Sequence, residues 1–183
     1  MPISRKVLLV AGGLALLACV WYWHYCWRHP FGDRTCWMPC TITALHHYAE
    51  RNDGWFPRGM PNAVDCLRVL VPRYLDAPKL AGFSADKVQV VERLQKGEPL
   101  NESVSSWIYW PGFRIDDPPH LAIIWERTGG VNGVGWRTRL GSHVVGFVHG
   151  DYDLISGEEW PAFLREQEQI RSNVLSGRLN RPK

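Results

Sequence analysis

The sequence predicts an α+β fold: an apolar N-terminal helix, then a small antiparallel sheet with helices against one face. Three observations predict it. The first 28 residues contain a long uncharged run, and the chain that follows has the apolar periodicity of helices. The second half contains short runs rich in β-branched and aromatic residues, typical of strands. Because short links join these runs, we expect antiparallel pairing.

The N-terminal segment carries the strongest signal in the chain. Arg5 and Lys6 form a short basic start, sixteen uncharged residues follow over 7–22, and charge returns at Arg28. Since Trp and Tyr favour the membrane–water boundary, the aromatic residues 21–23 extend this run. We therefore predict a single-pass anchor. The side chains expected to contact the lipid bilayer are Val7, Leu8, Leu9, Leu14, Leu16, Leu17, Trp21, Tyr22 and Trp23.

The charge pattern also predicts the topology. A basic start stays in the cytoplasm, so the rest of the chain faces outward. We expect residues 1–28 to anchor the protein in a bacterial inner membrane and residues 29–183 to form one α+β domain in the periplasm. Two alternatives stay open: residues 16–19, Leu-Leu-Ala-Cys, look like a lipobox in which Cys19 is lipidated, and a plain signal peptide would be removed.

The composition limits the classes of partner. About 155 residues remain after the anchor, enough for one domain with its own core. The formal net charge is +3, with both signs interspersed and no dense basic stripe. This pattern does not indicate a nucleic-acid partner.

Four helices are predicted after the anchor. The first covers 41–53, where apolar residues share one face and Asn52-Asp53-Gly54 makes a natural stop. The second covers 62–75, with Pro72 near its end, and the third covers 86–95. The last begins at Ser156, which forms a capping box with Glu159, and its end from residue 176 is expected to fray.

Four strands are predicted between the third and the last helix. They cover residues 106–110, 121–125, 144–148 and 152–155. His149-Gly150-Asp151 forms the turn between the last two, and the glycine-rich residues 129–135 form a loop.

Cysteines and histidines are the candidates for covalent or metal chemistry. An oxidising compartment allows a disulfide among Cys36, Cys40 and Cys66, whose pairing the sequence leaves open. The candidates for a divalent metal are His143, His149 and Asp151. However, two residues six apart on a strand are about 20 Å apart, so we expect a polar turn and no metal or other cofactor.

The other polar and aromatic groups have structural interpretations as well. Asp116-Asp117 offers only two carboxylates to calcium, and the adjacent His46 and His47 point about 100° apart on a helix. No serine stands in a nucleophile elbow. A glycan-binding face is the alternative interpretation of four aromatic residues, namely Trp107, Trp110, Trp125 and Trp136.

Three stretches of the chain carry a family resemblance. They are residues 45–57, LHHYAERNDGWFP, residues 70–80, LVPRYLDAPKL, and residues 144–153, VVGFVHGDYD. The first resembles the end of the N-terminal helix of type II secretion major-pseudopilin-like proteins of the planctomycete and verrucomicrobial kind. The other two are similar to later segments of that family and occur in the family's order. The resemblance implies a hydrophobic N-terminal helix that carries a small α+β head.

The resemblance also implies a function. Members of this family are structural, so we expect a non-enzymatic structural or interaction protein with protein partners in a membrane or secretion-type envelope assembly. The prepilin processing signature is absent, so the N-terminus is predicted to remain uncleaved. No Glu lies in the apolar run, where the family uses one to guide packing into a filament. The alternative is an exported metal-dependent hydrolase or a glycan-binding lipoprotein.

Overall fold

The computed structural model describes residues 5–28, 37–138 and 141–179, with side chains for all of these except 5–9 and 179. Two short 3₁₀-helices, Val64–Leu70 and Ala77–Ala81, lie between the second and third α-helices. The regular elements are, in chain order, α1 (Arg5–Arg28), α2 (Met38–Glu50), α3 (Lys87–Gln95), β1 (Trp107–Tyr109), β2 (Ala122–Glu126), β3 (His143–Phe147), β4 (Tyr152–Ile155) and α4 (Trp160–Leu179).

The four strands form one antiparallel meander in the order β1-β2-β3-β4. Each strand pairs with its neighbour in sequence, for example Trp107 with Glu126 and Val144 with Leu154. All four strands lie within one or two residues of their predicted bounds, and the α+β class is confirmed. A register shift between Ala122 and Ile124 interrupts the pairing of β2 with β3.

Helix α2 packs on one face of the sheet. The contact is close at Gly146 of β3, where an added Cβ would lie 3.0 Å from Ile42 and 3.1 Å from Met38. Since a β-branched residue would collide here, glycine lets the helix approach the strand. Ile42, Leu45 and Ala49 of α2 are buried in the main core.

Helix α4 packs on the opposite face, so the expectation of helices against one face is wrong. Trp160, Phe163 and Leu164 of α4 cover Ala122, Trp125 and Val145, which form a second apolar cluster. All five residues of β2 are buried. A strand covered on both faces reads as a continuous apolar run, and residues 121–125 form such a run.

Helix boundaries differ from the sequence prediction where proline and local turns intervene. Helix α2 begins at Met38 because Pro39 lies in its first turn, where the missing N–H costs nothing. It ends at Glu50, and the predicted stop is confirmed by the positive φ angles of Asp53 and Gly54. Residues 62–75 contain only the 3₁₀-helix Val64–Leu70, after which Val71, preceding Pro72, is extended.

Side-chain caps precede the last two helices, and the sequence predicts the one at Ser156. Asp86 accepts a hydrogen bond from the Val88 N–H at 2.9 Å at the start of α3. Ser156 Oγ accepts from the Glu159 N–H at 3.2 Å and donates to the Glu159 carboxylate at 2.7 Å, ahead of α4. Helix α4 continues to Leu179, so the expected fraying from residue 176 is wrong over 176–179. Arg178 holds this end through hydrogen bonds to Gly112 and Asp117.

Candidate functional site

Helix α1 exposes apolar side chains on every side. Leu16 and Leu17 are 68% and 66% exposed, and Trp23 is 68% exposed. Successive helical residues point about 100° apart, so these side chains, together with Tyr22, cover the whole circumference. A helix that is apolar all round is normally buried in a protein or a membrane. Other predicted lipid-facing residues of α1 with exposed side chains are Leu14 and Trp21; for residues 7–9 only the helical backbone is described.

Across the residues that the structure describes, no helix reaches the combined length and apolarity needed to cross a membrane. Cys19, the predicted lipidation site in the lipobox alternative, lies exposed on α1.

The histidine at the start of β3 has a packing role. His143 stacks on Trp160 of α4, with ring centroids 4.0 Å apart and planes inclined by 14°. A Cβ on Gly129 would lie 2.9 Å from His143 Nε2, so the ring is also enclosed on its edge. His143 lies at the start of β3, whereas His149 lies on the turn after the end of β3.

His149 and Asp151 lie together on the β3–β4 turn. His149 Nε2 is 3.0 Å from the Asp151 carboxylate, and Nδ1 donates to the Pro119 carbonyl at 2.6 Å. The His120 ring lies 5.8 Å away, edge to face. Both nitrogens of His149 therefore face protein acceptors. No three His, Cys, Asp or Glu side chains of the described chain are grouped so that they could hold a metal ion.

His46 and His47 differ in burial, as predicted for neighbours on a helix. His47 is exposed and its Nδ1 lies 3.3 Å from the Glu50 carboxylate. His46 packs edge-on against Phe56, and its buried Nε2 has no hydrogen-bond partner. Burial lowers the pKa of His46, against smaller opposing contributions from Val148 and Glu50. This ring is therefore suited to the neutral form.

The carboxylates considered for calcium are paired with arginines. Asp116 accepts from Arg114 Nε at 2.8 Å, and Asp117 accepts from Arg178 and from the Arg114 N–H. The hydrogen bond from Arg114 holds the pKa of Asp116 below its usual range. These residues line a cleft of about 620 Å³ with Trp55, which also contacts both guanidinium groups. Positive partners fill the positions that a cation would need.

A buried carboxylate that the sequence did not indicate lies at the end of β2. Glu126 accepts hydrogen bonds from the Phe83 N–H at 2.9 Å and the Ser84 hydroxyl at 3.0 Å. Burial raises the pKa of Glu126. Gly82 leaves space for this carboxylate, since a Cβ at Gly82 would lie 2.8 Å from Glu126 Oε2. The carboxylate ties the loop after Ala77–Ala81 to the sheet, and only the long-range fold brings these groups together.

The four tryptophans considered for glycan binding do not share a surface. Trp107 is fully buried in the main core and donates from Nε1 to the Lys79 carbonyl at 2.8 Å. Trp125 lies in the second cluster and packs edge-on against Trp110 at 4.9 Å. Trp136 is exposed on the glycine-rich loop. Sequence spacing alone could not separate these environments.

The predicted disulfide stays a prediction. Cys36 lies outside the described residues. Cys66 is a buried thiol in the 3₁₀-helix Val64–Leu70, and burial raises its pKa. Cys40 lies on α2 beside Lys79.

No family model, no curated protein and no solved structure matches this chain. The resemblance to pseudopilin-like proteins therefore stays a prediction from the three sequence segments.

Proposed function

We propose that the protein is a membrane-anchored, non-enzymatic interaction module, with α1 in a bacterial inner membrane and the α+β head in the periplasm. The observation that carries the proposal is the exposure of apolar side chains on all sides of α1. An isolated surface of this kind is unfavourable in water, at roughly 25 cal/mol per Å² of apolar area. A lipid bilayer would cover the whole circumference at once, whereas one partner helix would cover a stripe.

The sequence around α1 supports the same placement. Three further apolar residues, 7–9, precede the described side chains, and Arg5-Lys6 precedes these. The aromatic residues 21–23 follow the aliphatic part, where an interfacial belt would lie. Basic residues at the start favour a cytoplasmic N-terminus, which directs the head outward.

The contacts of the polar groups support an interaction role over catalysis. His143 is stacked, His149 faces two protein acceptors, and Asp117 is bound by Arg178. A catalytic group must reach a reacting atom, and these side chains are already engaged in holding the fold. Subunits of envelope assemblies need a stable surface and an anchor.

The pseudopilin-like role is the narrower form of the proposal. An N-terminal apolar helix followed by a four-stranded antiparallel meander with α2 on one face agrees with the arrangement that the resemblance implies. A family likeness in fold does not by itself establish function. The partners would be other membrane-anchored subunits of an envelope assembly.

A charge in α1 tests the proposal against a matched charge in the head. Leu17→Arg is compared with Val88→Arg on α3, because these two side chains are 66% and 65% exposed. An arginine at the centre of a spanning helix costs about 2.5–3.5 kcal/mol of insertion free energy. We expect wild type and Val88→Arg to resist alkaline carbonate extraction and to activate a C-terminal alkaline phosphatase, and Leu17→Arg to lose both properties.

Three results would overturn the proposal in different ways. Carbonate release of the wild-type protein would remove the anchor. Activity of a cytoplasmic reporter at Lys183, with an inactive exported one, would reverse the topology. An intact mass that begins at a lipidated Cys19 would replace the anchor with a lipoprotein.

A further inference from the structure

Among the residues that the structure describes, hydrogen bonds join the end of α1 to the short hairpin over residues 129–138. The Arg137 N–H donates to the Arg28 carbonyl at 2.9 Å, and Arg137 Nε donates to the Trp27 carbonyl at 3.0 Å. The last carbonyls of a helix have no partner within the helix, and the C-terminus carries a partial negative charge. One arginine therefore satisfies two of these carbonyls and places a positive charge at the favourable end.

The hairpin that presents Arg137 has a defined shape. Val131 pairs with Arg137, and the Asn132 N–H donates to the Trp136 carbonyl at 2.9 Å. The Asn132 side chain accepts from the N–H groups of Val134 and Trp136. Its base is held where the Thr138 N–H donates to the Gly130 carbonyl at 2.8 Å. The hairpin is thus a built element that projects beside the end of α1.

The surface formed by α1 and the hairpin combines indoles with guanidinium groups. Arg28 lies over the Trp136 ring at 5.2 Å, and Arg137 lies over the Trp27 ring at 5.6 Å. All four side chains are exposed, with Trp27 at 44% and Trp136 at 36%. No ion pair within the described chain involves either arginine. We name Trp27, Arg28, Trp136 and Arg137 the junction surface.

We propose that the junction surface binds anionic phospholipid headgroups at the outer face of the bilayer. The inference rests on the membrane placement of α1 proposed above. Trp27 lies about 6 Å along the helix beyond Trp23, at 1.5 Å per residue, so the junction surface lies at the depth of the headgroups. Indoles favour that depth, and guanidinium groups bind phosphate through two N–H groups at once.

This lipid contact would fix the head in one orientation on the membrane. Since Arg137 holds the end of α1, a headgroup bound by Arg137 and Arg28 links helix, hairpin and bilayer. The attraction is electrostatic, so it requires anionic lipid and weakens with salt.

The test uses the full-length protein in nanodiscs of phosphatidylcholine with and without phosphatidylglycerol. Hydrogen–deuterium exchange is measured for peptides that cover residues 129–138. We expect several-fold slower exchange in the anionic discs, and loss of that lipid dependence in Arg137→Gln, which keeps a hydrogen-bond donor but removes the charge. Arg137→Lys keeps the charge and should keep the lipid dependence.

Arg127→Gln is the matched control. Arg127 is an exposed arginine two residues before the hairpin, and it pairs with Glu102. It should follow wild type in both discs. Equal exchange of the wild-type hairpin in both lipids, with the chain still resistant to carbonate, would overturn the lipid contact and leave the anchor standing. Equal acceleration of Arg137→Gln in both lipids would assign Arg137 to capping of α1 alone. Carbonate release of the wild type would overturn the anchor itself.

Discussion

Leucine side chains are exposed on helix α1 and buried in the head. Leu17 on α1 is 66% exposed, whereas Leu45 on α2 is fully buried against the sheet. Both lie on regular α-helices that are rich in apolar residues. The difference lies in what surrounds them: α2 has β3 and the 3₁₀-helix Val64–Leu70 beside it, whereas α1 touches the head through its last residues.

The comparison separates two sources of stability. The head buries its apolar surface within the chain, on both faces of one sheet. The apolar surface of α1 is not covered by the other residues that the structure describes. Folding of the head should therefore be insensitive to α1, and placement of α1 should be insensitive to the core of the head.

Leucine-to-alanine changes at the two sites should have the largest difference in effect. Leu45→Ala leaves a cavity in the main core, and such changes cost about 2–5 kcal/mol of the free energy of unfolding. Leu17→Ala removes an exposed side chain and should change head stability by less than about 0.5 kcal/mol. Urea unfolding of the full-length protein in detergent, followed by near-ultraviolet circular dichroism, measures both.

The comparison fails if the two variants unfold alike. A large loss of head stability in Leu17→Ala would mean that α1 folds against the head. A loss below about 1 kcal/mol in Leu45→Ala would mean that the core relaxes into the space, contrary to the packing seen around α2.

Loss of the hydrogen bond between α4 and β2 should have the next largest effect on the free energy of unfolding. Gln167 of α4 is buried, and its side-chain oxygen accepts from the Ala122 N–H at 2.8 Å, where the β2–β3 register shifts. Gln167→Ala would leave that N–H without a partner, at a cost of about 1–3 kcal/mol. The neighbouring Glu168→Ala, an exposed position, is the control and should be close to neutral. The same unfolding measurement decides, and equal stability of the two variants would refute the role of this hydrogen bond.

The features that the sequence predicts are those set by residues close together in the chain, and the features it misses depend on residues far apart. The strand bounds follow local apolar and β-branched runs, and Ser156 contacts Glu159 three residues away, as the sequence predicts. The packing of α4 on the second face depends on contacts such as Gln167 with Ala122, 45 residues apart. The extension of α4 to Leu179 likewise depends on Arg178, whose partner Asp117 is 61 residues away.

The candidate site divides in the same way. The apolar character of α1 is written in consecutive residues, so its exposed surface was predictable. The junction surface was not predictable, because Arg137 contacts Trp27 across 110 residues. No pattern in the glycine-rich loop indicates that it packs against the end of α1. Glu126 was missed for the same reason, since its donors come from residues 83 and 84.

The smallest expected effect is a pH dependence that belongs to the head alone. Burial lowers the pKa of His46 in the folded protein, while the unfolded chain has the ordinary value of about 6.5. Below that value the unfolded state binds more protons than the folded state, so stability is present above about pH 6.5 and is lost as the pH falls. Glu126 acts in the opposite direction, because burial raises its pKa in the folded protein. The folded state therefore binds more protons than the unfolded state, and stability is lost as the pH rises above the ordinary value of about 4.3.

The His46 contribution can be isolated by comparing two neighbouring histidines. His46→Gln removes the titrating ring that packs beside Phe56 and Gly150, whereas His47→Gln changes an exposed ring on the same helix. Between about pH 7.5 and pH 5.5, we expect the wild-type Tm to fall as the pH is lowered and the Tm of His46→Gln to fall less. Glu126 is present in every variant, so its opposite contribution cancels in the difference. Thermal unfolding in detergent gives the two slopes, and His47→Gln should follow the wild type.

If His46→Gln keeps the full wild-type slope, the acid sensitivity of the head comes from another group. If instead the slope disappears on deletion of α1, it comes from the anchor, and the separation between the two regions fails.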